Sequence, residues 1–357
     1  MAQRIVLFLI LCILTAAQAV GADGGPEGLL EGGHWKRLRA IAEPQVAASP
    51  NDAKAAYFLA SAKEELGDLK GALPLAEKAL SSDPNNARYH LLVANICIEL
   101  GQQAGVFKGM GLAHRFKEEA EKAASLDPKY VDPRESLMEF YFDAPGIAGG
   151  DKKKAWALAD EIARIDATRG LLAQASLAAK EKNPSKQEDF YRKALAAAPN
   201  DFRVLSTIAS FYSSDAQKKY DLAEKYALAA LKLDETHEGP FVALAIAYAT
   251  GARWQDLDMA MARAEKNVPD DFGAFYQAGK VLLFSAKDLP RAERYFRMYL
   301  TIEPEGGEPH HAAAHWRLGL VLEKAGKKTE AIAEMEEALR SQPDFKEAKE
   351  DLKRLTR

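Results

Sequence analysis

Three histidines near the C-terminus are the residues whose type and spacing most resemble those of a metal-binding site. His311 and His315 are four residues apart in a segment with helical spacing, so they share one face, and His310 lies beside them. An i,i+4 pair of imidazoles is able to hold a transition metal. The Glu that completes the His-Glu-x-x-His pattern of metalloproteases is missing. Two interpretations stay open, a weak metal site or histidines with packing and surface roles, and we predict no cofactor.

The remaining candidate nucleophiles and acids are not arranged for catalysis. The sequence has no Gly-x-Ser-x-Gly motif, and Cys97 occupies an internal position of its helix. The carboxylate pairs Glu118-Glu119 and Glu336-Glu337 alternate with Lys or Ala, as on solvated helix faces. We therefore predict that the protein is not an enzyme.

Charge and hydropathy argue against a nucleic-acid partner and against a membrane-spanning segment beyond the N-terminus. The 357 residues contain 48 Lys and Arg against 52 Asp and Glu, a formal net charge of −4. This balance supplies no basic field, so we expect no nucleic-acid partner. Beyond the N-terminus no apolar run is long enough to span a bilayer. The oligomeric state cannot be read from these features.

The N-terminus has the pattern of a secretory signal. Arg4 provides the positive start, residues 5–14 are an apolar run, and Ala17-Gln18-Ala19 matches a small-residue cleavage site. We predict a signal peptide over 1–19 and a flexible linker over 20–30, which places the protein in the periplasm or outside the cell. The alternative is an uncleaved anchor, for which the apolar run is short.

A helical hairpin can be recognised between residues 53 and 86. Ala55, Leu59, Ala62 and Leu66 recur at helical spacing before Gly67-Asp68 breaks the helix. A second stripe ends at Asp83-Pro84, where Pro prevents continuation, and Asn85-Asn86 supply capping groups for the next helix.

The hairpin recurs along the chain. Six of eight units close with proline, at positions 84, 128, 199, 269, 304 and 343. A small residue recurs where two helices cross, as Ala60, Ala94, Ala175, Ala209, Ala245, Gly279 and Gly319, with Met138 as the departure. This series resembles the tetratricopeptide repeat, a unit of about 34 residues with two antiparallel helices.

The resemblance implies an all-α fold, an α-solenoid wound as a right-handed superhelix of about eight TPR-like hairpins over residues 53–343. A half-repeat helix is expected over 31–52, kinked or divided by Pro44, and a C-terminal capping helix over 344–357. Such a scaffold binds a protein or peptide partner.

Two Gly-rich insertions interrupt the repeat spacing. About ten extra residues lie at 102–110, and a shorter insertion spans 144–150, both between the two helices of a hairpin. Adjacent hairpins place such loops side by side, so we expect them to meet. The 105–111 segment lacks the Gly-Lys-Ser/Thr ending of a phosphate loop, which leaves a flexible insertion or a partner surface. The residues predicted for that surface are Lys108, Arg115, Asp143, Gly146, Gly149 and Gly150.

The resemblance also implies that the first helices line a concave face. The partner-binding residues that it implies there are Tyr57, Arg88, Asn95, Glu99, Glu139, Arg203, Ile246, Tyr276, Lys280, Phe284, Trp316 and Leu320. The C-terminal rings are expected to anchor a peptide, or else to pack within the chain.

Together these features predict an exported scaffold or adaptor that captures a protein or peptide, with envelope assembly as a setting. The alternative function is an accessory metal- or small-ligand-binding protein that uses His310, His311 and His315.

Overall fold

The computed structural model describes residues 25–306 and 309–357, and these residues form α-helices with no β-strand among them. Residues up to Leu158 and residues from Ala159 form two compact units, called unit 1 and unit 2. The predicted signal peptide, 1–19, and the first residues of the predicted linker lie outside the described residues. Within the described ranges, no helix is both long and apolar enough to cross a membrane.

Unit 1 contains seven complete helices and a short 3-10 turn. They are α1 (Gly25–Gly32), α2 (Trp35–Ala48), α3 (Ala53–Glu65), α4 (Leu69–Ser82), α5 (Ala87–Gln102), α6 (Val106–Leu126), α7 (Asp132–Asp143) and the turn at Gly146–Ala148. The next helix, α8 (Lys152–Ile165), crosses the boundary between the units.

Unit 2 continues with eleven helices. They are α9 (Ala167–Lys180), α10 (Pro184–Ala197), α11 (Phe202–Ser213), α12 (Tyr220–Leu231), α13 (Gly239–Thr250), α14 (Trp254–Asn267), α15 (Gly273–Ser285), α16 (Leu289–Tyr299), α17 (His311–Lys324), α18 (Lys328–Ser341) and α19 (Lys346–Leu355).

Side-chain caps fix many of the helix starts. Each capping carboxylate or amide oxygen accepts a hydrogen bond from a backbone N–H in the first turn, where the helix itself offers no acceptor. Asn86 does so for α5, accepting from the N–H groups of Arg88 and Tyr89, which confirms its predicted capping role. The other residues that cap in this way are Asp52, Asp68, Asp166, Asn183, Asp201 and Asp288.

Small residues sit where the helices of a hairpin cross, as the repeat pattern predicts. Ala60 and Ala94 in unit 1 and Ala245 in unit 2 are fully buried. At Gly319 an added Cβ would lie 2.8 Å from Met335 Cε and 3.2 Å from the Ala331 carbonyl oxygen. The close approach of the two backbones therefore selects small residues.

Successive first helices contact one another within each unit. In unit 1 they run α3, α5, α7, and in unit 2 they run α11, α13, α15, α17. Each of these hairpins thus buries one side on its neighbour, as in helical repeat arrays.

A polar clip recurs between neighbouring hairpins of unit 2. The Tyr212 hydroxyl donates to Glu188 Oε1 over 3.1 Å, and Lys219 Nζ lies 2.9 Å from the same carboxylate. One hairpin later, Tyr248 donates to Glu224 over 3.0 Å and Arg253 pairs with that carboxylate. Each clip joins a second helix to the hairpin that follows it.

The N-terminal segment differs from the sequence-based expectation. Residues 25–30 were predicted as part of a flexible linker, but Gly25–Gly32 is a helix because Leu29 is buried against Leu38 and its neighbours. Helix α2 runs without a break through Pro44.

Candidate protein-docking site

The first insertion extends two helices and does not form the loop expected at 102–110. Helix α5 ends at Gln102 and α6 begins at Val106, so the extra residues lengthen this hairpin. The two helices approach closely at glycines: a Cβ on Gly109 would lie 3.0 Å from the Gly101 carbonyl oxygen. The sequence predicts flexibility from these glycines, but in the structure they permit the two helices to pack closely.

The second insertion is a tight loop held by backbone hydrogen bonds. The Asp151 N–H donates to the Tyr141 carbonyl over 2.7 Å, and the Gly150 N–H donates to the Pro145 carbonyl over 3.1 Å. Gly149 has a φ of +99°, and a Cβ on Gly150 would lie 1.8 Å from the Ala144 carbonyl oxygen. These two glycines, predicted as partner contacts, therefore set the backbone of the loop.

The two insertions lie beside one pocket in unit 1, which we call the insertion pocket. Its volume is about 670 Å³. The residues that line it are Asn95, Ile98, Glu99, Gly101, Gln102, Gly109, Met110, Ala113, Phe116, Ser136, Glu139, Phe140, Asp143, Ala144, Pro145, Ile147 and Ala148. Both insertions contribute residues to this one pocket.

The pocket has an apolar floor and an exposed apolar rim. Phe116 and Phe140 are buried, with ring centroids 5.1 Å apart. At the rim, Ile147 is 87% exposed and Met110 is 44% exposed, and Phe107, one turn before Met110, is 92% exposed. Large apolar side chains at this exposure beside a concavity are typical of interaction sites.

Carboxylates border the apolar surface. Among the described lining residues, Glu99, Glu139 and Asp143 are acidic and none is Lys or Arg. Glu99 is also coupled electrostatically to Glu64 and Glu65 at the end of α3. We call Glu64, Glu65 and Glu99 the carboxylate cluster.

The cluster resists ionisation. Burial, followed by the negative charges of Glu99 and Glu65, raises the pKa of Glu64 well above its usual range. Partial desolvation raises the pKa of Glu65, and desolvation together with the charge of Glu65 raises that of Glu99. Like charges in a partly desolvated site favour a cation close by.

The remaining residues predicted at the loop edge have different surroundings. Arg115 pairs with Glu77 over 2.7 Å and lies 3.9 Å from Glu119, so its guanidinium is engaged within the hairpins. Lys108 is exposed, and a Cβ on Gly146 would meet open space.

The residues predicted on the concave face of unit 1 lie on α3, α5 and α7. Glu99 and Glu139 line the insertion pocket, as does Asn95, whose side-chain oxygen accepts from the Ser136 hydroxyl over 3.2 Å. Further along, Arg88 is exposed and lies over the ring of Tyr130 at 5.8 Å. Half-buried Tyr57 lies 5.1 Å from the ring of Tyr89.

In unit 2 the predicted aromatic anchors have unequal exposure. Tyr276 is 3% exposed and packs against Phe296 and Tyr299. Trp316 is half-buried; its Nε1–H donates to Asp351 of α19 over 2.8 Å. The exception is Phe284, which is 67% exposed. Of the other predicted contacts, Arg203 is exposed and Ile246, Lys280 and Leu320 are half-buried.

The C-terminal histidines are bonded to different groups. His311 Nε2 lies 2.7 Å from the Ile302 carbonyl oxygen, and His315 Nδ1 lies 2.6 Å from Glu334 Oε2. His310 is exposed. Within 25–306 and 309–357, no group of three or more His, Cys, Asp or Glu side chains could hold a metal ion.

The sequence reasoning missed the apolar half of the insertion pocket and two members of the carboxylate cluster. Ile147 and Phe107 offered a signal, since each is a large apolar residue within a Gly-rich insertion. Glu64 offered none, because Glu64-Glu65 reads as a solvated helix end.

The geometry defines a class of protein: an all-α helical repeat protein whose exposed apolar pocket lies between hairpins. Two segments match the tetratricopeptide repeat family, residues 36–102 and 305–344. No curated protein matches the chain in sequence.

Three proteins are among the solved structures similar to the chain. Yeast Tom70 is 15% identical, with a TM-score of 0.51, over 92% of this chain and 79% of its own. A thermophilic TPR protein of Thermus thermophilus is 21% identical, with a TM-score of 0.44, over 58% of this chain and 95% of its own. PilW, a type IV pilus biogenesis factor, is 17% identical, with a TM-score of 0.48, over 62% of this chain and 98% of its own.

The chain therefore contains tetratricopeptide repeats in these two segments. Its fold is that of a scaffold for protein interactions, a class that is typically non-catalytic.

Proposed function

We propose that this protein is an exported adaptor that docks a protein partner at the insertion pocket of unit 1. The observation that carries the proposal is the pocket itself: an apolar concavity of about 670 Å³ whose rim residue Ile147 is 87% exposed. Apolar side chains in such a site bind a partner because their contact with water is lost on docking.

Export and a role in the cell envelope are part of the proposal. They are supported by the sequence of residues 1–19, with its positive start, apolar run and small-residue cleavage site. A protein that acts as an adaptor outside the cytoplasm requires no catalytic residues, in line with the absence of catalytic motifs from the sequence.

Site-specific photo-crosslinking in the native cell tests the docking site. A photoreactive residue at position 147 is expected to form a discrete adduct with one partner. The matched control is position 259 in unit 2, since Met259 is also exposed, at 55%. Equal adduct patterns at both positions would reject the insertion pocket as the docking site.

Cell fractionation with N-terminal sequencing tests export. The mature protein is expected outside the cytoplasm, beginning after Ala19. Full-length protein confined to the cytoplasm would reject this part of the proposal. It would not test the docking site.

A further inference from the structure

We infer that the insertion pocket binds an amphipathic helix of a protein partner, whose apolar face enters the pocket and whose flanking Lys or Arg side chains face Glu65 and Glu99. The inference rests on the proposed docking function and specifies the chemistry of the partner. It is carried by the shape of the pocket, the exposure of its rim and the charge beside it.

The pocket is large enough to hold several side chains of a partner at once. Its volume of about 670 Å³ falls within the range of about 300–1,000 Å³ that holds a drug-sized ligand. One face of a helix presents apolar side chains at i, i+3, i+4 and i+7, which enter such a cavity together. An extended peptide usually gains affinity by pairing with a sheet edge, and the described residues contain no strand.

The rim supplies contacts on two sides of the pocket. Ile147 lies on the 144–150 loop, and Met110 lies on α6 together with Phe107. Because these side chains are exposed, an incoming helix would remove them from water without displacing any part of the described chain. Docking is therefore expected to depend strongly on Ile147.

The charge beside the pocket selects a basic partner. Among the described residues, none donates a hydrogen bond to, or forms an ion pair with, the side chains of Glu64, Glu65 or Glu99. Desolvation raises the pKa values of all three groups, and repulsion from neighbouring carboxylates adds to this effect for Glu64 and Glu99. A partner cation would offset that repulsion, whereas an acidic partner would add to it.

Synthetic helices provide the probes. A fluorescein-labelled peptide of about 18 residues carries Leu at i, i+3, i+4 and i+7 and Lys on the flanking positions. A second peptide replaces each Lys with Glu, and a third scrambles the Leu/Lys order so that no apolar face forms. Fluorescence anisotropy measures the binding of each peptide to the full chain at low and high salt.

Two variants of the protein separate the apolar and the charged contributions. Ile147→Ser removes the rim contact, with Met259→Ser as the matched change of an exposed apolar side chain in unit 2. Glu65→Gln with Glu99→Gln neutralises part of the cluster. Its control is Glu336→Gln with Glu347→Gln, which neutralises two exposed carboxylates of unit 2.

We expect the Leu/Lys helix to bind at least about tenfold more tightly than the Leu/Glu helix or the scrambled peptide. Ile147→Ser should weaken binding about tenfold. Glu65→Gln with Glu99→Gln should weaken it about fivefold and reduce its salt dependence. Both control variants should bind as the parent protein does.

Different results would reject the docking site, the basic character of the partner and its helical face. Equal binding of the Leu/Lys and Leu/Glu helices, each weakened by Ile147→Ser, would overturn the basic partner and keep the docking site. Binding that is insensitive to Ile147→Ser would overturn docking at the insertion pocket. Equal binding of the scrambled peptide would overturn recognition of a helix face.

Discussion

The two units of the chain use the same hairpin differently. In unit 1 the α5/α6 hairpin is lengthened and the α7 end carries a tight loop, so a pocket opens with exposed apolar residues at its rim. In unit 2, two of the three aromatic residues predicted as anchors pack within the chain: Tyr276 is in the core and Trp316 packs on Phe345, whereas Phe284 is exposed. Insertions, more than the repeat itself, expose the apolar surface that we propose for docking.

Two helical glycines, one in each unit, also have different surroundings. In unit 2 a Cβ on Gly170 would lie 2.3 Å from the Cα of Ala163, so this glycine allows two helices to cross. In unit 1 a Cβ on Gly111, within α6, would meet nothing within 4 Å. The same residue type marks close packing in one place and solvent exposure in the other.

The largest expected effect comes from Gly170→Ala. Because the added Cβ meets backbone atoms, the helices must separate, and we expect stability to fall by about 3 kcal/mol. Gly111→Ala, the control in unit 1, should raise stability by about 0.5 kcal/mol through helix propensity. Urea denaturation followed by circular dichroism measures both, and equal effects would contradict the contrast between the two glycines.

Trp316→Ala tests whether the aromatic residues of unit 2 serve packing. The change removes contacts with Phe345 and the hydrogen bond to Asp351, so we expect a loss of about 2 kcal/mol. Phe284→Ala should change stability by less than about 0.5 kcal/mol, since that ring is largely exposed. If Trp316→Ala were equally mild, the ring would be free to bind a partner.

Glu64→Gln should stabilise the protein at neutral pH. A folded-state pKa above the unfolded value, about 4.3 for Glu, means that the native state binds the proton more tightly. Stability of the parent protein therefore falls as pH rises from the unfolded pKa through the folded one.

Glutamine removes this penalty, so the gain should be on the order of 1 kcal/mol at pH 7 and vanish below pH ~4. Thermal unfolding at both pH values measures it. The charged groups that face Glu64 are Glu99 and Glu65, and both oppose its ionisation. A gain that is the same at both pH values would mean that Glu64 is not held protonated by its surroundings.

The smallest stability effect is expected at the rim of the insertion pocket. Ile147→Ser should alter the free energy of unfolding by less than about 0.5 kcal/mol, because the side chain is 87% exposed. Differential scanning calorimetry checks this value. A large loss would show that Ile147 supports the loop, and its effect on docking would then be indirect.

Sequence reasoning predicted the hairpins well and the insertions poorly. Ala60, Ala94 and Ala245 repeat at a fixed distance from a closing turn, and that spacing alone indicates which positions face the crossing helix. The 102–110 segment was read as a loop because of its glycines. Its helical state depends on Gly109 packing against Gly101, a contact that the spacing does not reveal.

The repeat spacing also predicted part of the candidate site, and long-range packing hid the rest. Asn95 and Glu139 fall at equivalent positions of the repeat, and Glu99 lies one turn after Asn95, so the pattern placed all three on first helices, which line the pocket. Glu64 was not predicted because its burial comes from neighbouring helices. For Tyr276, exposure and packing within the chain both stayed open, because nothing local shows that Phe296 and Tyr299 cover it.

The sequence by itself determined the helical repeat, its caps and its small-residue crossings, since periodicity and turn chemistry are local properties of the chain. Tertiary structure alone decided which aromatic residues are buried, that the insertions enclose a pocket, and that Tyr212 and Tyr248 clip each hairpin to its neighbour through Glu188 and Glu224. These features arise from contacts between residues distant in sequence, and the burial that fixes them belongs to the packed hairpins together.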